Sequence, residues 1–317
     1  MDGTAASPKA YGANIITVSF RGDLEICRLL CASFDRFASD AVVHSLYVPA
    51  VDVPLFADLA TERRRIATQE SLLPRWFWKV PLPSPHWRAR LFLPRRNVYL
   101  TPLSLPVRGW TAQQIMKIAA ALTSECEIVA FLDSDNALVR TLSIDHLTCA
   151  GKTRLYCDPH HPDMPEYVRW YEAARRLIGL EQDDPYRPSF VHQLIVWRRR
   201  VVEGMTRRIE ATTGRNWVAA LARTPHFAEY IIYGLYAEQV LGLEAAGLYA
   251  ESRSLAHSTW GRSLETLADT SAFVDALRPD HVACHIQSTS DIKLEQRKQV
   301  YGMLTRRARE QDAVAVT

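Results

Sequence analysis

The sequence predicts an α/β fold: a mixed, mostly parallel central sheet flanked by helices, in one domain. Three observations carry this. Asn14 to Phe20 is β-branched and apolar, Leu24 to Phe37 repeats its apolar residues at helical spacing, and Ala41 to Val48 is strand-like again. Strand, helix, strand is the order that builds parallel sheets. Ile128 to Leu132 is an unbroken apolar run, the pattern of a strand buried on both faces. Finally, 317 residues, 48% hydrophobic and 23% charged, suffice for a full core and exclude bulk disorder, with no internal repeat or linker to divide them. The expected domain runs over residues 14–312 behind a flexible terminus of residues 1–13.

In chain order, Arg21-Gly22-Asp23 turns the chain after the first strand, and Asp23 is placed to cap the following helix. That helix aligns Leu24, Cys27, Leu30, Cys31 and Phe34 on one stripe that faces the sheet. Pro49 stops the second strand, and Arg65 to Thr68 reads as a short third. Between residues 74 and 109, Pro74, Pro81, Pro83, Pro85, Pro94, Pro102 and Pro106 rule out a long helix. Interleaved with them are Arg75, Trp76, Phe77, Trp78, Lys79, Trp87, Arg88, Arg90, Arg95 and Arg96. This insertion reads as an acceptor-binding lid, as a peripheral contact with anionic membrane lipid through residues 74–96, or as packed aromatics among solvated arginines.

Thr111 with Gln114 three residues on has the form of a capping box. The helix it starts buries Ile115, Ile118 and Leu122 and puts Gln113 and Lys117 on one face, so Lys117 points either to the ligand edge of the sheet or to water. Arg154 to Cys157 reads as a strand and Tyr167 to Leu180 as a helix. Phe190 to Trp197 reads as an apolar strand with His192 and Gln193 as its unusual polar members. Val201 to Thr212 is amphipathic, its Arg199, Arg200, Arg207 and Arg208 solvated. A helix begins near Phe227 with Glu229 and Tyr230 in its first turn. A last short strand starts at Val282 and ends in His285, and a helix through Leu294, Tyr301, Leu304 and Ala308 closes the chain.

The chemistry centres on Asp133-Ser134-Asp135, which follows the buried apolar run directly. Such a turn lies at the carboxyl edge of a parallel sheet, where open α/β folds bind ligands. Two carboxylates one residue apart suit a hard divalent cation, although Asp, Ser and Asn are also ordinary turn formers. The glycine-rich phosphate loops G-x-G-x-x-G and G-x-x-x-x-G-K-[ST] are absent from the sequence, so a bound diphosphate would need a metal to cradle it.

These residues resemble those of the GT-A fold glycosyltransferases, a Rossmann-related class. The match lies in the D-x-D at Asp133 and Asp135, the upstream helix with Gln113 and Lys117, and the late His285 followed by Lys293. Ala228-Glu229-Tyr230 with Tyr233-Gly234 is similar to the Ser-Glu-Tyr…Tyr-Gly stretch of a largely uncharacterised bacterial GT-A-like family, as are the segment from Gly22 to Leu30 and Arg75-Trp76. The resemblance spans roughly residues 14–305. It implies a metal-dependent transferase that moves a sugar from a nucleotide-sugar donor, a UDP- or GDP-sugar, to a hydroxyl acceptor that is a saccharide, a lipid-linked intermediate or a small molecule.

The resemblance also implies residue roles. Asp135 would coordinate Mn²⁺ or Mg²⁺ across the two phosphates, Asp133 would join the metal site or contact ribose or sugar, and His285 would complete the metal site. Arg21 would pair with phosphate and Asp23 with base or ribose, alongside donor contacts from Gln113, Lys117, His192, Gln193 and Tyr230. Glu229 would deprotonate the acceptor or hold the donor sugar, and Tyr230 and Tyr233 would either stack on sugar faces or pack as core aromatics. The His-x-x-Gly-x-x-Lys pattern of some retaining members is not present, which leaves Lys293 without its usual phosphate role.

Two other classes compete. A haloacid-dehalogenase-like phosphatase also uses D-x-D after a strand, but its motif sits near the N-terminus with Thr or Val two residues on, unlike Asn136-Ala137 here. A non-catalytic sugar or nucleotide binder would share the composition. A formal net charge of +3 is too small to imply a nucleic-acid binder, and none is expected as a partner. The six cysteines show no C-x-x-C pairing, and no apolar run spans a bilayer, so a cytoplasmic protein is expected, with any membrane contact peripheral at the inner face.

Overall fold

The computed structural model describes residues 11–80, 97–160, 164–182, 184–260, 264–288 and 292–315. β1 (Ala13–Val18) is buried along its whole length. α1 (Leu24–Phe37) buries Cys27, Leu30, Cys31 and Phe34, the stripe expected from the spacing. Asp23 occupies its N-cap position but makes no side-chain cap bond, so the expected cap is not formed. β2 (Val42–Val48) and β3 (Arg64–Thr68) follow, both parallel to β1.

The Pro-rich insertion folds in part: β4 (Trp78–Lys79), β5 (Val98–Leu100) and β6 (Val107–Arg108) make a small antiparallel sheet. Phe77 packs on Tyr99 at 5.4 Å, while Trp78 is 57% exposed. The rest of the expected lid or lipid contact, residues 81–96, lies outside the described residues, as do residues 1–10 of the terminus.

α2 (Gly109–Thr123) begins earlier than the capping box implies. Gly109 N–H donates to Asn97 O at 2.7 Å, anchoring the first turn to the insertion, and Thr111 is buried inside the helix rather than capping it. β7 (Ile128–Phe131) is parallel to β1, and β8 (Asn136–Leu138) follows the acidic turn. Next come β9 (Thr148–Cys149), β10 (Lys152–Tyr156) and α3 (Pro165–Ile178). The strand expected over residues 190–197 starts only at Ile195, because Leu194 has a φ of 53°, a left-handed kink that no strand accommodates. This β11 (Ile195–Arg198) runs antiparallel beside β7. α4 (Arg199–Thr213) buries Val201, Met205 and Ile209. The chain ends through α5 (Trp217–Ala222), α6 (Glu229–Leu235), β12 (Leu248–Glu251), β13 (Ala256–Ser258), α7 (Leu267–Asp275), β14 (Ala283–His285) and α8 (Leu294–Ala315).

The central sheet has the order β11-β7-β1-β2-β3, with only β11 antiparallel: a mixed, parallel-rich sheet flanked by helices. Alternation along β1 divides the core. Ile16 joins Phe131, Ile115 and Met205 on one face, and Ile15 joins Ala130, Leu30 and Phe34 on the other. Each such buried side chain contributes roughly 1.5–3 kcal/mol. A second sheet, β13-β14-β8, stands beyond the carboxyl end of β7. All six cysteines are free thiols, and among the described residues no helix is long and apolar enough to cross a membrane.

Candidate active site

The acidic turn is fixed from both sides. Leu132 N donates to Ile16 O at 3.1 Å, and Ser134 Oγ donates to Ser19 Oγ at 2.8 Å, tying the turn to the end of β1. After it, β8 pairs with β14 in a register that sets Asn136 opposite His285. This pairing is what brings a residue 150 positions downstream to the turn. His285 Nε2 lies 3.4 Å from Asp135 Oδ2, while its Nδ1 meets Ser258 Oγ at 2.8 Å. Asp135 Oδ2 also accepts from Ser288 N at 2.7 Å. Burial works to raise the Asp135 pKa, but His285 and the Ser288 amide outweigh it and hold the carboxyl below its ordinary value.

Asp133 faces a different partner. Lys117, on α2, is 7% exposed and places Nζ 3.4 Å from Asp133 Oδ1, 3.4 Å from Glu229 Oε1 and 2.9 Å from Tyr230 Oη, to which it donates. Burial disfavours the ammonium, yet Asp133, Tyr230 and Glu229 together hold its pKa well above the ordinary lysine value. Glu229 moves up as well: burial raises it, and it shares its single cation with Asp133. Gln114 Oε1 accepts from Glu229 N at 3.0 Å, a contact hidden in the sequence because Gln114 looks like a capping residue.

The structure therefore gathers Asp133, Asp135, His285, Lys117 and Glu229 at the carboxyl end of β7, with Asp23 beside them. Burial first, then the Asp135 and Asp133 carboxylates, push Asp23 up to about 6. Gln193 Oε1 accepts from Asn136 Nδ2 at 3.0 Å and so borders the turn, while His192 Nδ1 lies 2.6 Å from Ser254 Oγ. Burial pushes His192 down to about 4, which keeps it neutral.

Several expectations need correction. Arg21 is clamped by the buried Asp52, Nε to Oδ1 at 2.5 Å, rather than standing open for a phosphate. Tyr233 is fully buried, stacked on Trp197 at 4.8 Å, and its Oη accepts from Arg198 N, so it is a core residue and no sugar platform. Tyr230 is likewise packed between Phe131 and Trp197, its hydroxyl turned to Lys117. Glu229 is 4% exposed and faces Lys117 instead of an open cleft. Gln113 is partly buried on α2, and the glutamine that reaches the site is its neighbour.

The expected three-ligand metal set is not assembled. Among the described residues no three His, Cys, Asp or Glu side chains form a metal-holding group, because Asp133 turns to Lys117. Asp135 and His285 alone converge, and Asp135 Oδ1 is buried without a hydrogen-bond partner. An orphaned carboxylate oxygen beside an imidazole fits a two-donor cation site whose remaining positions a ligand would fill.

The family model of a family of unknown function (DUF6492) matches residues 13–303. No curated protein matches the chain. Among solved structures, the chain is similar to mouse xyloside xylosyltransferase 1 in its apo form, at 11% identity and a TM-score of 0.45, over 89% of this chain and 99% of that one. It is also similar to the galactosyltransferase LgtC in complex with donor and acceptor sugar analogs, at 12% identity and a TM-score of 0.44, over 92% of this chain and 96% of that one.

Proposed function

The chain belongs to the family of unknown function DUF6492, and we propose that it is a metal-dependent glycosyltransferase of the GT-A type, acting on a UDP- or GDP-sugar and a hydroxyl acceptor. One observation carries the reading. The buried Asp135 meets His285 at 3.4 Å with one oxygen unpartnered, at a sheet edge where Asp133 and Asp23 add two further carboxylates. Like charge concentrated in this way calls for a cation. Asp135 and His285 would hold it, the imidazole favouring Mn²⁺ over Mg²⁺, and the bound ion would neutralise a leaving diphosphate.

The chain's own groups supply the rest. Asp133, with 34% of its side chain exposed, is the carboxylate within reach of a sugar or ribose hydroxyl. Lys117 fixes its direction, and Glu229, buried behind Lys117, acts on substrate only through that ammonium. Asp23, which follows β1 and lies beside Asp133 and Asp135, takes the base or ribose of the nucleotide.

Thermal unfolding with UDP, GDP, CDP and dTDP, each with and without Mn²⁺, tests this. A nucleotide at about 100 times its Kd stabilises the fold by ~2.7 kcal/mol. The expected result is a shift with one nucleotide class only when Mn²⁺ is present, lost in Asp135→Ala while that variant still melts cooperatively. A wild type that no nucleotide stabilises, or an Asp135→Ala variant that responds as the wild type does, removes the reading.

A further inference from the structure

We infer that Trp260, with His192 and Tyr156, forms a stacking subsite for an acceptor pyranose beside the Asp135–His285 pair. The inference rests on the glycosyltransferase reading and narrows its acceptor to a saccharide. Nothing in the mechanism above uses Trp260, yet 42% of it is exposed although it adjoins two imidazoles of the site. Its ring centroid lies 5.1 Å from that of His192 and 6.0 Å from that of His285, the latter met nearly edge-on at 75°. His192 continues the row to Tyr156 at 5.2 Å. The row thus begins at the histidine facing Asp135 and leads away from it over His192 and the end of β10.

The imidazoles in this row are held in the same way. Ser254 Oγ takes His192 Nδ1 at 2.6 Å, and Ser258 Oγ takes His285 Nδ1 at 2.8 Å. Rings fixed before a ligand arrives lose little freedom on binding it. In His192 the Nε2 is then the nitrogen that remains for a ligand hydroxyl.

Aromatic faces are electron-rich and attract the polarised C–H groups on one face of a pyranose, while neighbouring imidazole and serine groups match its hydroxyls. A plain acyl chain would gain nothing from the imidazoles. A nucleobase would also stack, but the nucleotide side proposed above lies across the acidic turn. Asp23 and Arg21 follow β1 on one side of β7, whereas His192 leads into β11 on the other. The ring row and the proposed nucleotide side therefore flank the acidic turn from opposite directions, which leaves room for an acceptor and a donor to meet there.

The full-length protein is titrated by saturation-transfer NMR with methyl hexopyranosides, lactose, maltose and cellobiose, alone and with Mn²⁺ plus the stabilising nucleotide. Trp260→Ala is expected to weaken sugar binding about tenfold, and Trp260→Phe to retain most of it. Both variants should keep the wild-type melting temperature and nucleotide affinity. Unchanged sugar affinity in Trp260→Ala, equal loss of sugar and nucleotide, or a wild type that binds no sugar in either arm overturns the subsite. Sugar binding that depends on Trp260 in a protein no nucleotide stabilises supports the subsite and removes the transferase reading instead.

Discussion

Lys117, 7% exposed, places its ammonium between the Asp133 and Glu229 carboxylates, and Glu229, 4% exposed behind it, meets that ammonium in turn. Removing one partner of a buried pair leaves an uncompensated charge, which costs ~3–5 kcal/mol. Lys117→Met is therefore expected to destabilise the protein by about that amount, measured by urea unfolding. Adding Glu229→Gln removes the stranded charge, so the double variant should recover at least ~1 kcal/mol of the loss. Additive effects would mean that Lys117 and Glu229 do not hold each other, and that the orientation of Asp133 has another source. At this scale the sequence is a poor guide. Lys117 and Glu229 lie 112 positions apart, and no local pattern announces the pairing. Trp260 is equally silent, because its ring contacts with His192 and His285 arise only when β13, β14 and the segment before β11 converge.

The elements differ in how openly the sequence states them. α1 is legible to the residue, since its apolar stripe repeats cleanly from Cys27 to Phe34 and a turn precedes it. β7 is legible from its apolar run. β8, three residues long, is too short for any period to register, whereas β14 is marked by its apolar run ending in His285, and their pairing carries His285 to the acidic turn. The start of β11 is hidden because Leu194, an ordinary strand former, adopts a left-handed φ. α6 shows how packing explains a motif. A Cβ built on Gly234 would sit 2.3 Å from Phe190 Cγ, so Tyr-Gly is required by the ring lying on the helix. Gly302, on α8, has nothing within 4 Å of the same atom. Gly234→Ala should therefore cost ~1–3 kcal/mol through overpacking, and Gly302→Ala should gain ~0.5–1 kcal/mol through helix propensity. Equal effects in chemical unfolding would refute the close approach of Phe190.

Across the whole molecule, a buried polar relay crosses the parallel strands and ends at the candidate site. Arg64 Nε, on β3, donates to His44 Nδ1 on β2 at 3.0 Å. His44 Nε2 meets Thr17 Oγ1 on β1 at 2.9 Å, and that hydroxyl donates to Leu132 O at 2.7 Å, immediately before the acidic turn. Because Thr17 spends its proton on Leu132 and Arg64 gives its own to Nδ1, His44 must be the neutral Nε2–H tautomer. Burial, then the Arg64 guanidinium, pushes its pKa down to about 3, against 6.5 ordinarily. A base depressed in this way binds its proton only in the unfolded chain, so its stabilisation is complete above about pH 6.5 and is lost as pH falls towards 3. One such group gives a slope of up to ~1.4 kcal/mol per pH unit in that window. His44→Asn, which cannot take up this proton, should be less stable than the wild type near neutrality by ~1–3 kcal/mol, the cost of a broken buried hydrogen-bond chain. Its deficit should then shrink as acid is added, since only the wild type loses the His44 contribution. Urea unfolding of both proteins at several values between about pH 7.5 and about pH 5 measures this. A deficit constant with pH would show that His44 titrates alike in the folded and unfolded chain, and would break the relay at its second link.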